Sequence, residues 1–507
     1  MTRRQFLYGL PASLAAAGDR PNILLILADD MGFSDLGCYG SEIPTPNIDR
    51  LARGGVRFTQ FYNAARCCPT RAALLTGLYP HQAGIGHMGR NMGTPAYQGY
   101  LNDRCLTLGE ALRGAGYRTL LAGKWHVGNQ RPHWPCDRGF DESYALLGGT
   151  SHYFRPRSLV RNDREMEPPR EESYYITDDF TAQACAMLDR NARGERPFFL
   201  YLAYTAPHFP IQAPVDEIAR HRGRYRQGWD ALRRTRYRRM QESGIADRSW
   251  ALSERPAEVS AWESAADKEE WDQRMAVYAA MVARLDRGVG EVVKKLEELG
   301  VLGNTLILFL SDNGACAETK TGGKPGAPIG SAYSNTTYEA PWANLSNTPF
   351  RYFKHWTYEG GIATPLIVHW PGKIPAGRIV RETGHVVDIL PTLLEAAGGR
   401  YPQDRIPLSG HSLLASLRGG KPMPRRTLFW EHEGNRAVRQ GDWKLTAANG
   451  GEWELYNLAK DRSETKNLAT ERPERVRELA GAYARWASRV GVMEWKPEWE
   501  KRFGIPY

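Results

Sequence analysis

The stretch "NILLILADD", residues 22 to 30, runs without a charge into two adjacent carboxylates, Asp29 and Asp30. An apolar run with no alternation is the mark of a strand covered on both faces, as in a parallel sheet. Four more runs share it: "YRTLLA" (117 to 122), "FFLYLAY" (198 to 204), "TLILFL" (305 to 310) and "PLIVHW" (365 to 370). Before the fourth of the five, Met281, Leu285, Val289, Val292, Leu296 and Leu299 recur at steps of four and three, and Gly300 supplies a cap. Strands alternating with helices predict an α/β domain on a mainly parallel sheet.

At 507 residues, 42% hydrophobic and 24% charged, the chain has the composition of a globular protein with a large core, which excludes disordered and fibrous classes. No apolar run reaches spanning length, so no stable membrane span is expected. The N-terminus places Arg3-Arg4 before Phe6-Leu7, a short apolar stretch and Ala15-Ala16-Ala17. That order predicts a twin-arginine-type signal over residues 1 to 17 and an exported protein, periplasmic or secreted. Loss of Arg3 and Arg4 with that segment takes the net charge from +10 to +8. A basic exported protein suits a polyanionic or sulfated partner, although a solvated surface explains the charge equally well. No nucleic-acid module accompanies it.

Two regions interrupt the alternation. Residues 211 to 275, rich in Arg, Glu and Trp, read as an insertion or lid, and 318 to 349, rich in Gly, Ser and Asn, as a long functional loop. From about residue 424 the pattern becomes short antiparallel strands with turns at Asn435, Gly441 and Gly450-Gly451, followed by an amphipathic helix in "RPERVRELAGAYARWASRV". The expected organisation is therefore a main domain over 18–423 and a smaller α+β subdomain over 424–507.

In open parallel sheets the binding crevice lies beyond the carboxyl ends of the strands. The first strand leads to Asp29-Asp30 and the fourth to Asp312-Asn313-Gly314; the second leads to Lys124 and His126, the third to His208. Two pairs of hard oxygen ligands at one edge suit Ca²⁺ or Mg²⁺. Lys124, His126 and His208 become candidates for anion binding or proton transfer.

"RCCPTRAALLTG", residues 66 to 77, adds a second feature. Pro69 suits a first helical turn and Gly77 a cap, so Cys67 falls at a helix N-terminus that favours an anion, with Arg71 one turn in. Two small buried apolar residues would account for the cysteines as well. The seven cysteines (38, 67, 68, 105, 136, 185 and 316) are odd in number, so at least one stays unpaired or is chemically altered.

These motifs resemble those of the type I, formylglycine-dependent sulfatases, arylsulfatases among them. "CCPTRAALLTG" is similar to the Cys-x-Pro-Ser/Thr-Arg signature, and "NILLILADDMGFSDLGCYG", "AGKWHVG", "APHFP", "LSDNG" and "NTPFRYFKHWTYEGGIATPLIVHWPG" follow in the family's order. "HVVDILPTLLEAAG" and "WELYNLAKDRSETKNLA" match later landmarks. The resemblance implies an alkaline-phosphatase-like fold with a large mixed sheet. It also implies conversion of Cys67 to formylglycine by a formylglycine-generating or maturating enzyme, and one Ca²⁺ held by Asp29, Asp30, Asp312, Asn313 and modified Cys67. Arg71, Lys124 and Lys354 would bind sulfate or steady the formylglycine, and His126 and His208 would transfer protons. The implied activity is release of inorganic sulfate from an aryl or carbohydrate sulfate ester.

Relatives with the same nucleophile motif hydrolyse phosphodiesters or phosphonate monoesters, which gives a second reading. An inactive carbohydrate-binding protein with unmodified Cys67 gives a third, at the cost of leaving buried charges unused. Specificity is expected in the loops at 129–175, 211–275 and 318–349, with Trp342, Tyr153 and His152 as candidate sugar contacts.

Overall fold

A computed structural model describes residues 20–167, 171, 173–496 and 498–499, so the twin-arginine-type segment lies outside the described residues. The main sheet uses β1 (Asn22–Ala28), β2 (Val56–Tyr62), β3 (Arg118–Lys124), β4 (Glu142–Leu146), β5 (Leu159–Arg161) and β6 (Arg164–Met166). It is completed by β7 (Phe198–Ala203), β8 (Thr305–Ser311), β9 (Ala363–His369), β10 (Arg378–Val380) and β11 (Gly384–His385). Their order is β10-β2-β9-β8-β1-β7-β3-β4-β5-β6, with β11 beside β2.

The opening run sits at the centre. Ile23 pairs with Phe199 on one side and Leu306 on the other, both in parallel register. Its alternate residues enter two cores: Leu24, Ile26 and Ala28 on one face, Ile23, Leu25 and Leu27 on the other. Each fully buried aliphatic side chain contributes about 1.5–3 kcal/mol, which is why the run tolerates no charge. The long helix Lys268–Glu298 covers the first face with Ile176–Asn191 and Pro46–Arg53; Cys67–Thr76 and Ile389–Ala396 cover the second. Gly300, in the left-handed region (φ +75°), follows the long helix as the sequence predicts.

Two strand features depart from the sequence reading. β9 runs antiparallel to both β2 and β8, so its amino end, not its carboxyl end, lies at the edge where β1, β3, β7 and β8 finish. β2 was not among the expected strands, because "VRFTQFY" mixes polar and apolar residues. Antiparallel to β9, it is parallel to the central strands, and its carboxyl end lies at the same edge.

The region expected to be an insertion or lid packs into the main core. Residues 211–275 form helices Val215–Ala219 and Gly228–Glu242 and the start of Lys268–Glu298. Trp229, Trp262 and Trp271 pack with Trp342, and the buried Arg236 guanidinium pairs with Asp35 at 2.7 Å and Glu42 at 2.8 Å. The presumed loop 318–349 contains a helix, Glu339–Ser346, which carries Trp342 into that cluster.

Beyond the main sheet, β12 (Thr427–His432), β13 (Asn435–Gln440), β14 (Trp443–Ala447) and β15 (Glu454–Asn457) form an antiparallel meander. The helix Pro473–Val490 lays Leu479, Tyr483, Trp486 and Val490 against Val438, Leu445 and Leu455. This is the small sheet plus helix that the sequence predicts.

Candidate active site

The parallel strands β1, β2, β3, β4, β7 and β8 all end at one edge of the sheet. The first loop beyond it carries Asp29 and Asp30, both buried, with Asp30 held at φ +64°. The Asp30 N–H donates to Asp312 Oδ1 at 3.2 Å, so the two carboxylate loops lock together. Asn313 Nδ2 donates to Asp30 Oδ1 at 2.7 Å.

β2 delivers Cys67. After Tyr62 the chain turns through Ala65 (φ +65°), and the Thr70 hydroxyl oxygen accepts from Ala64 N–H at 2.9 Å, fastening the turn to the helix. Arg66 is extended at φ −147° and the helix Cys67–Thr76 begins, with Pro69 in its first turn. Gly77, at φ +68°, ends it with its N–H on Ala73 O. Cys67 is thus the first residue of the helix, as expected. The Cys68 thiol's hydrogen bond, with the charges of Lys124 and His126, draws the Cys67 thiol well below its ordinary range against the effect of burial.

The cationic residues fall into two layers. Arg71 Nε and Nη2 both donate to Asp312 Oδ2, at 3.1 and 2.8 Å, and Nη1 donates to Lys124 O at 3.1 Å. Lys124 Nζ lies 2.6 Å from Asp29 Oδ2. Both side chains are completely buried beneath the site, where Arg71 meets the carboxylates. Lys354 lies at the wall, its Nζ 2.8 Å from Asp30 Oδ2 and 3.2 Å from His208 Nε2. Burial, the largest influence, works against its charge, but Asp30, Cys316 and Cys67 together outweigh it and raise its pKa. Burial would raise the Asp30 carboxyl too, yet His208 and Lys354 bring it down to about 2.

The two histidines are held differently, His208 by a backbone carbonyl and His126 with its Nδ1 unpartnered. His208 Nδ1 lies 2.6 Å from the Phe209 carbonyl, which can only accept, so Nδ1 carries the proton and Nε2 faces Lys354. The Tyr153 hydroxyl reaches Thr205 O at 2.7 Å and His208 O at 2.8 Å, holding that loop from below. His126, at φ +59°, lies beside Cys67 and Cys68, within 4.8 Å by ligand atoms. Burial lowers the pKa of His126, and burial with Lys354 lowers that of His208 to about 3, against the pull of Asp30.

Cys67, His126, His208 and Lys354 line one cavity of about 390 Å³. Arg66 and Glu318, paired at 3.0 Å, stand on its rim and also line a neighbouring cavity of about 350 Å³. Sequence reading misses both: Arg66 follows β2, whose mixed polarity hides it, and Glu318 opens the region read as a long loop. Two candidate sugar contacts do not hold. Trp342 is wholly buried in the tryptophan cluster, and Tyr153 is buried beneath His208. His152 is half-buried, and both ring nitrogens are engaged by backbone: Nε2 by Ala332 O at 2.7 Å, Nδ1 by the N–H groups of Phe154 and Arg155.

The carboxylate group fits a divalent cation. Asp29 Oδ1 and Asn313 Oδ1 are buried with no hydrogen-bond partner, an arrangement that costs free energy unless a ligand fills it. Burial and the adjacent Asp312 push the Asp29 carboxyl well up, the sign of a carboxylate group short of positive charge. The all-oxygen donor set suits Ca²⁺. Among the described residues all seven cysteines are unpaired.

The Sulfatase family model matches residues 21–399, and the model for the N-sulphoglucosamine sulphohydrolase C-terminal region matches 349–480. An uncharacterized sulfatase of Schizosaccharomyces pombe is 36% identical over 94% of this chain and 95% of its own. The arylsulfatase of Klebsiella aerogenes is 36% identical over 76% of this chain and 88% of its own. Among solved structures, Ps i-CgsB in complex with k-i-k-neocarrahexaose superposes with a TM-score of 0.71 at 28% identity, covering 96% of this chain and 98% of that one. With a family match across most of its length and relatives of this identity, the chain belongs to the sulfatase family and is a sulfatase enzyme.

Proposed function

We propose that the protein is an exported sulfatase that uses formylglycine made from Cys67, together with Ca²⁺, to release inorganic sulfate from a sulfated carbohydrate or aryl ester. The observation that carries this reading is the convergence of Cys67, His126, His208 and Lys354 on one cavity above a buried carboxylate group. The arylsulfatase relative supports the aryl ester, and the oligosaccharide in the Ps i-CgsB complex supports a carbohydrate. The reading includes a maturating enzyme that converts Cys67, cleavage of residues 1–17, and division into a catalytic domain over 18–423 and a subdomain over 424–507.

Formylglycine at position 67 would, when hydrated, offer two hydroxyls on one carbon. Asp29, Asp30, Asp312 and Asn313 would hold Ca²⁺ together with position 67, and the ion would supply positive charge that lowers the pKa of an oxygen bound there. Arg71 acts through others, fixing Asp312 and the Lys124 carbonyl. Lys124 steadies Asp29 from below, and Lys354 at the wall meets the charge that develops on the sulfuryl oxygens. His208, oriented by the Phe209 carbonyl, protonates the departing alcohol oxygen through Nε2, and Lys354 3.2 Å away keeps its own charge for the sulfuryl oxygens. His126, beside position 67, takes the proton from the second hydroxyl as sulfate leaves.

The test measures inorganic sulfate from an aryl sulfate and from a panel of sulfated oligosaccharides, with the mass of the 62–71 peptide read on the same preparation. Cys67→Ala is expected to abolish release, and the wild-type peptide to be lighter than its cysteine form. Full activity in Cys67→Ala would overturn the assignment. Faster turnover of a phosphate diester than of every sulfate ester would favour the phosphodiesterase or phosphonate monoester hydrolase reading.

A further inference from the structure

Beside the catalytic cavity lies a second group of side chains that the sulfatase reaction does not use. We propose that His87, His432 and Glu433 form a separate metal site, a two-histidine, one-carboxylate centre for Zn²⁺ whose fourth corner opens towards the substrate cavities.

The backbone builds the site locally. β12 ends at His432 and β13 begins at Asn435, and these two residues pair across the hairpin. The turn between them is Glu433-Gly434, both at positive φ (+51° and +81°), as a two-residue type I′ hairpin requires. His432 and Glu433 therefore arrive together on the small sheet's tip, while His87 comes from the main domain. All three are at least nine-tenths buried, with exposures of 0%, 4% and 2% respectively.

Their polar atoms approach without bonding. His87 Nδ1 lies 3.2 Å from Glu433 Oε1, and His432 Nε2 lies 3.5 Å from the same oxygen. Yet His87 Nδ1, both His432 nitrogens and Glu433 Oε1 have no hydrogen-bond partner. Leaving four such atoms buried and unsatisfied costs free energy several times over. A cation among them satisfies three of the four, one atom from each residue. With zinc–ligand bonds near 2.0–2.1 Å, the edge of a tetrahedral site is about 3.3 Å, close to both observed separations. The three ligand atoms fall within 4.8 Å of one another.

The surroundings orient the carboxylate as an outer shell does around zinc. Asn435 Nδ2 donates to His355 Nε2 at 2.9 Å, so His355 carries its proton on Nδ1, which meets Glu433 Oε2 at 2.6 Å. Glu433 Oε1 is left for the metal. Arg66, the cation that also feels the Glu433 charge, has its ion pair with Glu318 at 3.0 Å. Imidazole nitrogens select zinc over calcium, which requires six to eight oxygens, so this site and the Asp29–Asp312 group sort different metals. His87 lines the catalytic cavity and Glu433 the neighbouring one, which leaves the fourth position for water or a polar group of the substrate.

The probe is Co²⁺, added to the full-length protein in a Cys67→Ser, Cys68→Ser background so that no thiolate at that position contributes. One equivalent is expected to show the intense visible absorption of tetrahedral cobalt and to be displaced by Zn²⁺. His432→Ala or Glu433→Gln should abolish the band, and His355→Ala, which only orients Glu433, should weaken binding roughly 10–100-fold. Circular dichroism establishes folding, and His87→Gln at the cavity wall replaces His432→Ala should the latter not fold. Absence of the tetrahedral band from the parent protein, or its persistence in Glu433→Gln, would overturn the proposal.

Discussion

At the scale of single residues, the site depends on approaches too close for a side chain. A Cβ added at Gly149 would lie 2.4 Å from the His126 ring, whereas one at Gly148 would meet only the Thr150 carbonyl oxygen, at 3.9 Å. Displacing a proton-transfer group by about 1 Å costs on the order of 10²-fold in rate. Gly149→Ala is therefore expected to lower kcat by about that factor at unchanged thermal stability, and Gly148→Ala to lose little. Equal effects in the two variants, measured by sulfate release, would show that His126 is not sensitive to this contact. Sequence reading finds Asp29, Asp30, Asp312 and Asn313 because apolar runs announce where strands end. It finds Lys354 only through family resemblance, since that residue reaches the site from the amino end of an antiparallel strand. Gly149 leaves no signal at all: its contribution is the absence of atoms beside a residue 23 positions away.

At the scale of elements, burial on both faces is legible but direction is not. "NILLIL" and "PLIVHW" are alike as apolar runs, yet β1 is parallel to its neighbours and β9 antiparallel, because residues 351–362 return the chain to the site edge before the strand starts. How deeply the insertion at 211–275 is buried is hidden for a related reason. Arg- and Glu-rich helices with weak periodicity look exposed, but tryptophans and a paired buried Arg236 anchor them. Trp342 shows the consequence. Its ring packs 5.4 Å from Trp229, and its Nε1 donates to Trp271 O at 2.9 Å. Trp342→Ala is expected to destabilise the protein by about 3–5 kcal/mol in denaturant titration, with KM for the sulfated substrate unchanged. A raised KM at wild-type stability would return Trp342 to the substrate.

At the scale of the whole molecule, the small sheet is joined to the main domain through charge as well as apolar contact. Glu359, just before β9, accepts Tyr62 OH at 2.7 Å, Lys444 Nζ at 3.0 Å and Arg462 Nε at 3.0 Å, and all three ionic side chains are fully buried. Glu464 shares Lys444 at 2.7 Å and accepts the Glu359 N–H at 2.8 Å. Two carboxylates compete for one ammonium, and the competition is unequal. Burial opposes ionisation of Glu359, but Lys444 and Arg462 hold its carboxyl at about 2; burial raises Glu464 to about 7, only partly countered by Lys444. The sign of the pH effect follows. Below the ordinary glutamate range both folded and unfolded chains carry the Glu464 proton, and its contribution is at its most favourable. As pH rises towards 7 the unfolded chain ionises first, so the folded state loses relative stability; above 7 the loss levels off. Glu464→Gln removes this titration while keeping one acceptor for the Glu359 N–H. Across pH 4.5 to 7, its stability measured by denaturant is expected to rise relative to wild type by about 3 kcal/mol, then run parallel. A difference that is flat with pH, or that falls through this window, would mean that Glu464 enters the interface already ionised and that Lys444 serves both carboxylates equally.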